Sequence, residues 1–155
     1  SDPALDPYYA LCAEYGVPVL SHVGPSSPRL SFQHTRPYDL DDAARRFPTV
    51  NFILAHATVV HRDDAALLAE YRPNVYIDTS GFQVAHRRGL WVDALRFFKQ
   101  RGLVRKLLFG TDWPIHRSLG RLDRWLPRLA DGAVLSPDEA RWIVDHNPRE
   151  LLRLT

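Results

Sequence analysis

Apolar positions recur along this chain in two alternating rhythms, short β-branched or leucine-rich runs and longer stretches with the three-and-four spacing of an amphipathic helix. The short runs are Val17 to Val23, Val50 to Ala57, Asn74 to Gly81 and the segment opening at Lys106, where Leu107, Leu108 and Phe109 precede Gly110. Runs of this length, apolar on both faces, predict buried parallel strands. Between them lie predicted helices. The first carries Asp6 as N-cap and Pro7 at its first position, and stops at Gly16. A second opens at Asp39 with Asp42 and shows Leu40, Ala43, Ala44 and Phe47 on one face; a third runs from Asp63 to Tyr71. The fourth, about Leu90 to Arg101, packs Leu90, Trp91, Ala94, Leu95 and Phe98 and ends at Gly102. Two capping-box starts close the chain, Ser136 with Glu139 and Asn147 with Glu150, each followed by proline. Four strand-then-helix units in alternation predict an α/β fold with a parallel sheet, organised as a single domain over 1–155.

The ends of the four runs carry the chemistry. They finish on His22, on His56, on Asp78 with Thr79, and on Asp112. Parallel strands place their carboxyl ends on one face, so side chains far apart in sequence are brought together there. Imidazole with carboxylate is the donor set of a borderline-soft divalent metal, so a zinc-type site is expected. A lone histidine beside an apolar strand is ordinarily a hydrogen-bonded structural residue. Two at equivalent strand ends argue for more. Asp78 also reads as the start of an Asp-Thr-Ser-Gly turn. His34 and His116 are expected to line the pocket, and His61, His86 and His146 to lie on the surface. The Pro- and Ser-rich stretch from Pro25 to Pro37 reads as a long loop.

Composition narrows the partners. A net charge of +2 with scattered basic residues gives no nucleic-acid footprint. The nearest approach to a patch is Arg117, Arg121, Arg124 and Arg128, opposite Leu119, Leu122, Leu126 and Leu129, which is the pattern of an amphipathic helix. No run is long and apolar enough to span a membrane and no signal-peptide pattern opens the chain, so a cytoplasmic protein is expected. One cysteine, Cys12, removes a disulfide framework or Cys-based metal site from consideration and reads as a small core residue. The chain has no methionine and begins Ser-Asp-Pro, which suggests a piece of a longer or processed chain.

The segments VPVLSHVG, RPYDLDDAARRFPTVNFILAHA, RPNVYIDTSG and KLLFGTDWP, with NPRELL in the closing helix, resemble in order the amidohydrolase-related family. Its members are metal-dependent TIM-barrel hydrolases, and their relatives include aminocarboxymuconate-semialdehyde decarboxylase and similar nonoxidative decarboxylases. The resemblance implies that His22 is the metal-ligand histidine after the fifth barrel strand. His56 corresponds to the histidine after the sixth, catalytic in mononuclear members and a ligand in binuclear ones. Asp112 corresponds to the aspartate after the eighth, which binds metal and handles a proton. The implied cofactor is a divalent metal, zinc or alternatively manganese.

The family's His-x-His pair on the first strand has no counterpart in this sequence. Four units against the eight of a barrel imply its carboxyl-terminal half, strands five to eight. The expected activity is metal-dependent hydrolysis of a small carboxylate, lactone or amide; nonoxidative decarboxylation and a non-catalytic half-barrel are the alternatives. In the catalytic reading His56 polarises the scissile group or steadies developing charge, and Asp112 takes a proton from water. Both edge strands are expected to be bare. The partners that follow are a small-molecule substrate and either a second copy of the chain or the missing amino-terminal half.

Overall fold

Four strands, β1 (Val19–His22), β2 (Phe52–Ala55), β3 (Val75–Asp78) and β4 (Leu107–Leu108), form one parallel sheet in the order β1-β2-β3-β4. The computed structural model describes residues 2–24, 29–57, 59–81, 88–113, 127, 129 and 132–154. The arginine-striped helix expected through Arg117 to Arg128 lies outside them, as do His86 and His116.

Registers Val19 to Phe52 to Val75 and Ser21 to Leu54 to Ile77 to Leu107 align one set of side chains across the sheet. These residues of β2, β3 and β4 pack with helix residues in the main core, where Trp91, Phe98, Leu95, Ala65 and Ala44 are buried. The opposite face carries Leu20, Ile53 and Tyr76 in one row, then His22, Ala55, Asp78 and Leu108 in the next. Alternation therefore sends apolar residues outward to the helices and puts His22 and Asp78 in one row on the other face. Parallel pairing of adjacent, sequence-ordered strands is the arrangement the alternating pattern predicts.

The helices are α1 (Asp6–Tyr15), α2 (Asp41–Arg46), α3 (Arg62–Tyr71), α4 (Arg88–Gln100), α5 (Pro137–Arg141) and α6 (Asn147–Leu152). Gly16 ends α1 in the left-handed conformation, as predicted. Asp6 lies inside the helix rather than capping it, because a short 3-10 turn capped by Asp2 precedes it. In the same way Asp39 serves a 3-10 turn, Pro37–Leu40, by accepting the Arg36 amide, and α2 begins two residues later. Leu90 is exposed, while Trp91, Ala94, Leu95 and Phe98 hold α4 to the core. Cys12 is half-buried at the core's margin.

Ser136 and Glu139 form the predicted capping box. Asn147 is the first residue of α6 but does not cap it. A π turn, Trp142–His146, joins α5 to α6 without a break, and the Asn147 amide is buried. That amide donates 2.9 Å to the Val104 carbonyl and 2.7 Å to the Leu107 carbonyl, while the Phe109 amide donates 3.1 Å to the Ile143 carbonyl. In a parallel strand alternate residues point their backbone groups to opposite sides. Leu107 and Phe109 face away from β3, so the outer edge of β4 is closed by the chain's own closing segment. The expectation of two bare edges is met only at β1. There, among the described residues, nothing pairs on the outer side, Leu20 is 66% exposed, and Tyr8, Leu11, Tyr15 and Val17 continue the apolar surface. Replacing Asn147 by alanine strands two carbonyls, and urea denaturation is expected to show a loss of about 2–3 kcal/mol.

Candidate active site

The strand β2 ends at Ala55, and His56 takes φ +65°, a left-handed backbone uncommon outside glycine. Asp112, four residues past β4, takes φ +56°. Both residues are thus turned out of their strand direction at the carboxyl edge of the sheet. Their side chains meet with Nε2 of His56 3.9 Å from Oδ1 of Asp112. Both line a cleft of about 460 Å³, together with Asp78, Ser80, Ile53 and Leu108. Histidine and aspartate tolerate this left-handed region better than most side chains, so both can make the turn that brings them together.

His22 stands beside this pair rather than on the cleft wall. Its ring centroid is 5.1 Å from that of His56 in an edge-to-face arrangement, and Nε2 is 3.1 Å from the Gly24 carbonyl. A carbonyl only accepts, so Nε2 carries the proton and Nδ1 keeps its lone pair for a ligand. The structure therefore brings His22, His56 and Asp112 to one end of the sheet. His34 is exposed at φ +65° and is not among the residues of the cleft.

Asp78 and Ser80 complete the arrangement. The two oxygens of Asp78 accept the backbone amides of His56 at 3.3 Å and Ser80 at 3.2 Å, and Oδ2 also accepts a short hydrogen bond from the Ser80 hydroxyl. Burial pushes the Asp78 carboxyl above the usual range, opposed by the hydrogen bonds from Ser80 and His56. Ser80 Oγ lies 2.8 Å from His56 Nδ1. The indole of Trp91 donates 3.1 Å to the Thr79 carbonyl, pinning the end of β3 to α4. In the sequence Ser80 reads only as part of a turn; the signal that marks it is its place two residues beyond an inward-facing strand-end aspartate.

The described residues contain no cluster of three His, Cys, Asp or Glu side chains set to hold a metal ion. His22 Nδ1 and the Asp112 carboxylate have suitable donor chemistry but make a partial set. No described helix is long and apolar enough to cross a membrane.

A family model described as amidohydrolase matches residues 1–154. No curated protein sequence matches the chain. Among solved structures, an uncharacterized TIM-barrel protein from Bordetella bronchiseptica is similar over 98% of this chain and 51% of its own, with a TM-score of 0.73 and 24% identity. A probable 2-pyrone-4,6-dicarboxylic acid hydrolase from Acinetobacter baumannii, with citric acid bound, gives a TM-score of 0.67 at 16% identity, over 98% of this chain and 58% of that one. A protein described as amidohydrolase II gives 0.53 at 17% identity over 98% and 56%. At these identities the likeness establishes the fold, a partial TIM barrel, and the chain spans about half the length of the structures it matches.

Proposed function

The chain belongs to the amidohydrolase family, and on that premise we propose that it carries the catalytic edge of a metal-dependent hydrolase acting on a small carboxylate, lactone or amide. The observation that supports this most directly is the approach of His56 Nε2 to Asp112 Oδ1 at 3.9 Å on the wall of a cleft. A cleft of about 460 Å³ suits a small substrate. Its lining combines apolar residues such as Ile53 and Leu108 with the polar Asp78, Ser80 and Asp112.

In this reading His22 Nδ1 and Asp112 would hold a divalent cation, zinc or manganese. When bound, the cation supplies Lewis acidity and makes water a competent nucleophile near neutral pH. Asp112 accepts a proton from the attacking water at a carboxylate oxygen. His56, facing it, delivers a proton to the leaving oxygen or nitrogen. Asp78 and Ser80 keep the imidazole in place. The partial donor set fits a site that also draws on a segment docked along the open β1 edge. That segment is either a second copy of the chain or the other half of a complete barrel; in the second case closure at β4 would also require Asn147 and Ile143 to give up their bonds to Leu107 and Phe109.

The test pairs metal analysis with turnover. After dialysis, the protein as isolated, beside a longer form carrying an upstream His-x-His strand, is expected to retain about one zinc or manganese per site, and His22→Ala to retain less than a tenth of that. Hydrolysis of lactones or amides bearing a carboxylate should follow metal content. Carbon dioxide release in place of hydrolysis would assign the site to the decarboxylases. Absence of bound metal in both forms would leave a non-catalytic half-barrel.

A further inference from the structure

Ser80 does more than end the turn after β3. Its side chain is buried, and its oxygen touches two polar groups, Asp78 Oδ2 and His56 Nδ1. A serine hydroxyl has one proton. With the Asp78 carboxylate ionised, the state its two backbone-amide donors favour against the opposing effect of burial, its oxygens can only accept, and the Ser80 proton goes to Asp78. Toward His56, Ser80 Oγ is therefore an acceptor, and Nδ1 must bring the hydrogen. The nitrogen facing Asp112 is then left with a lone pair.

We infer that Asp78 and Ser80 are positioning residues that lock the His56 imidazole in its Nδ1–H tautomer, so that it enters the reaction as a proton acceptor at Nε2. Glycines back this row on two sides. A Cβ at Gly110 would fall on Asp78 Oδ1 and come within 3.0 Å of Ser80 Cβ, and one at Gly81 would come within 3.1 Å of His56 Nδ1. Only glycine at both places admits the Asp78–Ser80–His56 line.

The lock refines the order of events and rests on the proposed reaction for its catalytic meaning. His56 in this form cannot polarise a carbonyl by donating a hydrogen bond at the outset. It first gains a proton at Nε2, from water directly or by way of Asp112, and then returns that proton to the leaving group. Proton count is conserved: one leaves the nucleophile and one reaches the leaving atom.

The test reads nitrogen chemical shifts of the ¹⁵N-histidine-labelled protein at about pH 8, above the usual imidazole range. His56 signals are identified by their loss in His56→Gln. Nδ1 is expected in the protonated, pyrrole-type range and Nε2 in the pyridine-type range. Ser80→Ala removes the acceptor and should move both signals toward each other as the second tautomer appears. Once a substrate is known, Ser80→Ala is expected to lower kcat by about 10–100-fold with KM little changed. A wild-type spectrum with the proton on Nε2 overturns the inference, as does an unaltered spectrum in a folded Ser80→Ala protein. The wild-type spectrum decides the tautomer even if the variant does not fold. Because it is read in the resting protein, it is independent of whether any substrate is hydrolysed.

Discussion

Asp112→Asn is expected to lower turnover by about 10³-fold or more while leaving the urea midpoint of unfolding unchanged. The choice of asparagine follows from the backbone. Asp112 sits at φ +56°, where asparagine and aspartate are tolerated and a Cβ-bearing residue without a polar side chain pays about 1 kcal/mol. Alanine would combine a strain effect with a chemical one. Asparagine keeps the shape and removes only the charge, and with it both the proton acceptor facing His56 and a proposed cation ligand. Bound metal should fall in parallel with activity. Unchanged turnover in the asparagine variant would remove Asp112 from the reaction.

Gly110→Ala is expected to damage the site from behind. The new methyl would clash with Asp78 Oδ1, and that carboxylate cannot swing aside without giving up three hydrogen bonds. Ser80 Cβ, at 3.0 Å, blocks the other direction. Overpacking of this kind costs about 1–3 kcal/mol, measurable by urea denaturation. Activity should fall further than stability alone explains, because the displaced Asp78 and Ser80 no longer hold the His56 ring. A variant with wild-type stability and turnover would mean that the sheet edge is more compliant than its contacts imply.

The order of strands, their parallel pairing and the convergence of His56 with Asp112 were legible in the sequence, because strand-end chemistry follows directly from βα alternation. The details that escaped it are tertiary. Asn147 carries the local signature of a helix cap, and a cap is what local pattern predicts. Its amide instead satisfies two carbonyls that lie 40 and 43 residues upstream in the chain order, a demand no window of sequence reveals. Ser80 reads as a turn residue because Asp-Thr-Ser-Gly is ordinary turn chemistry; only the left-handed bend at His56 carries an imidazole to it. β1 reads as buried from Val17 to Val23, yet Leu20 is exposed, since burial of an edge strand depends on its neighbour and not on its own residues.

The closing of β4 by Ile143 and Asn147 gives the sheet a polarity of growth. A sheet with two open parallel edges can accept copies of itself head to tail, and unless the rotation closes into a ring each addition exposes a new acceptor, which is the geometry of a filament. Here the acceptor side is already terminated within the chain. A strand arriving at β1 would find unpaired groups, whereas among the described residues the outward groups of Leu107 and Phe109 on β4 are already bonded to Asn147 and Ile143. Pairing through sheet edges is therefore expected to stop at two molecules joined β1 to β1, and light scattering that showed larger, growing assemblies would contradict it.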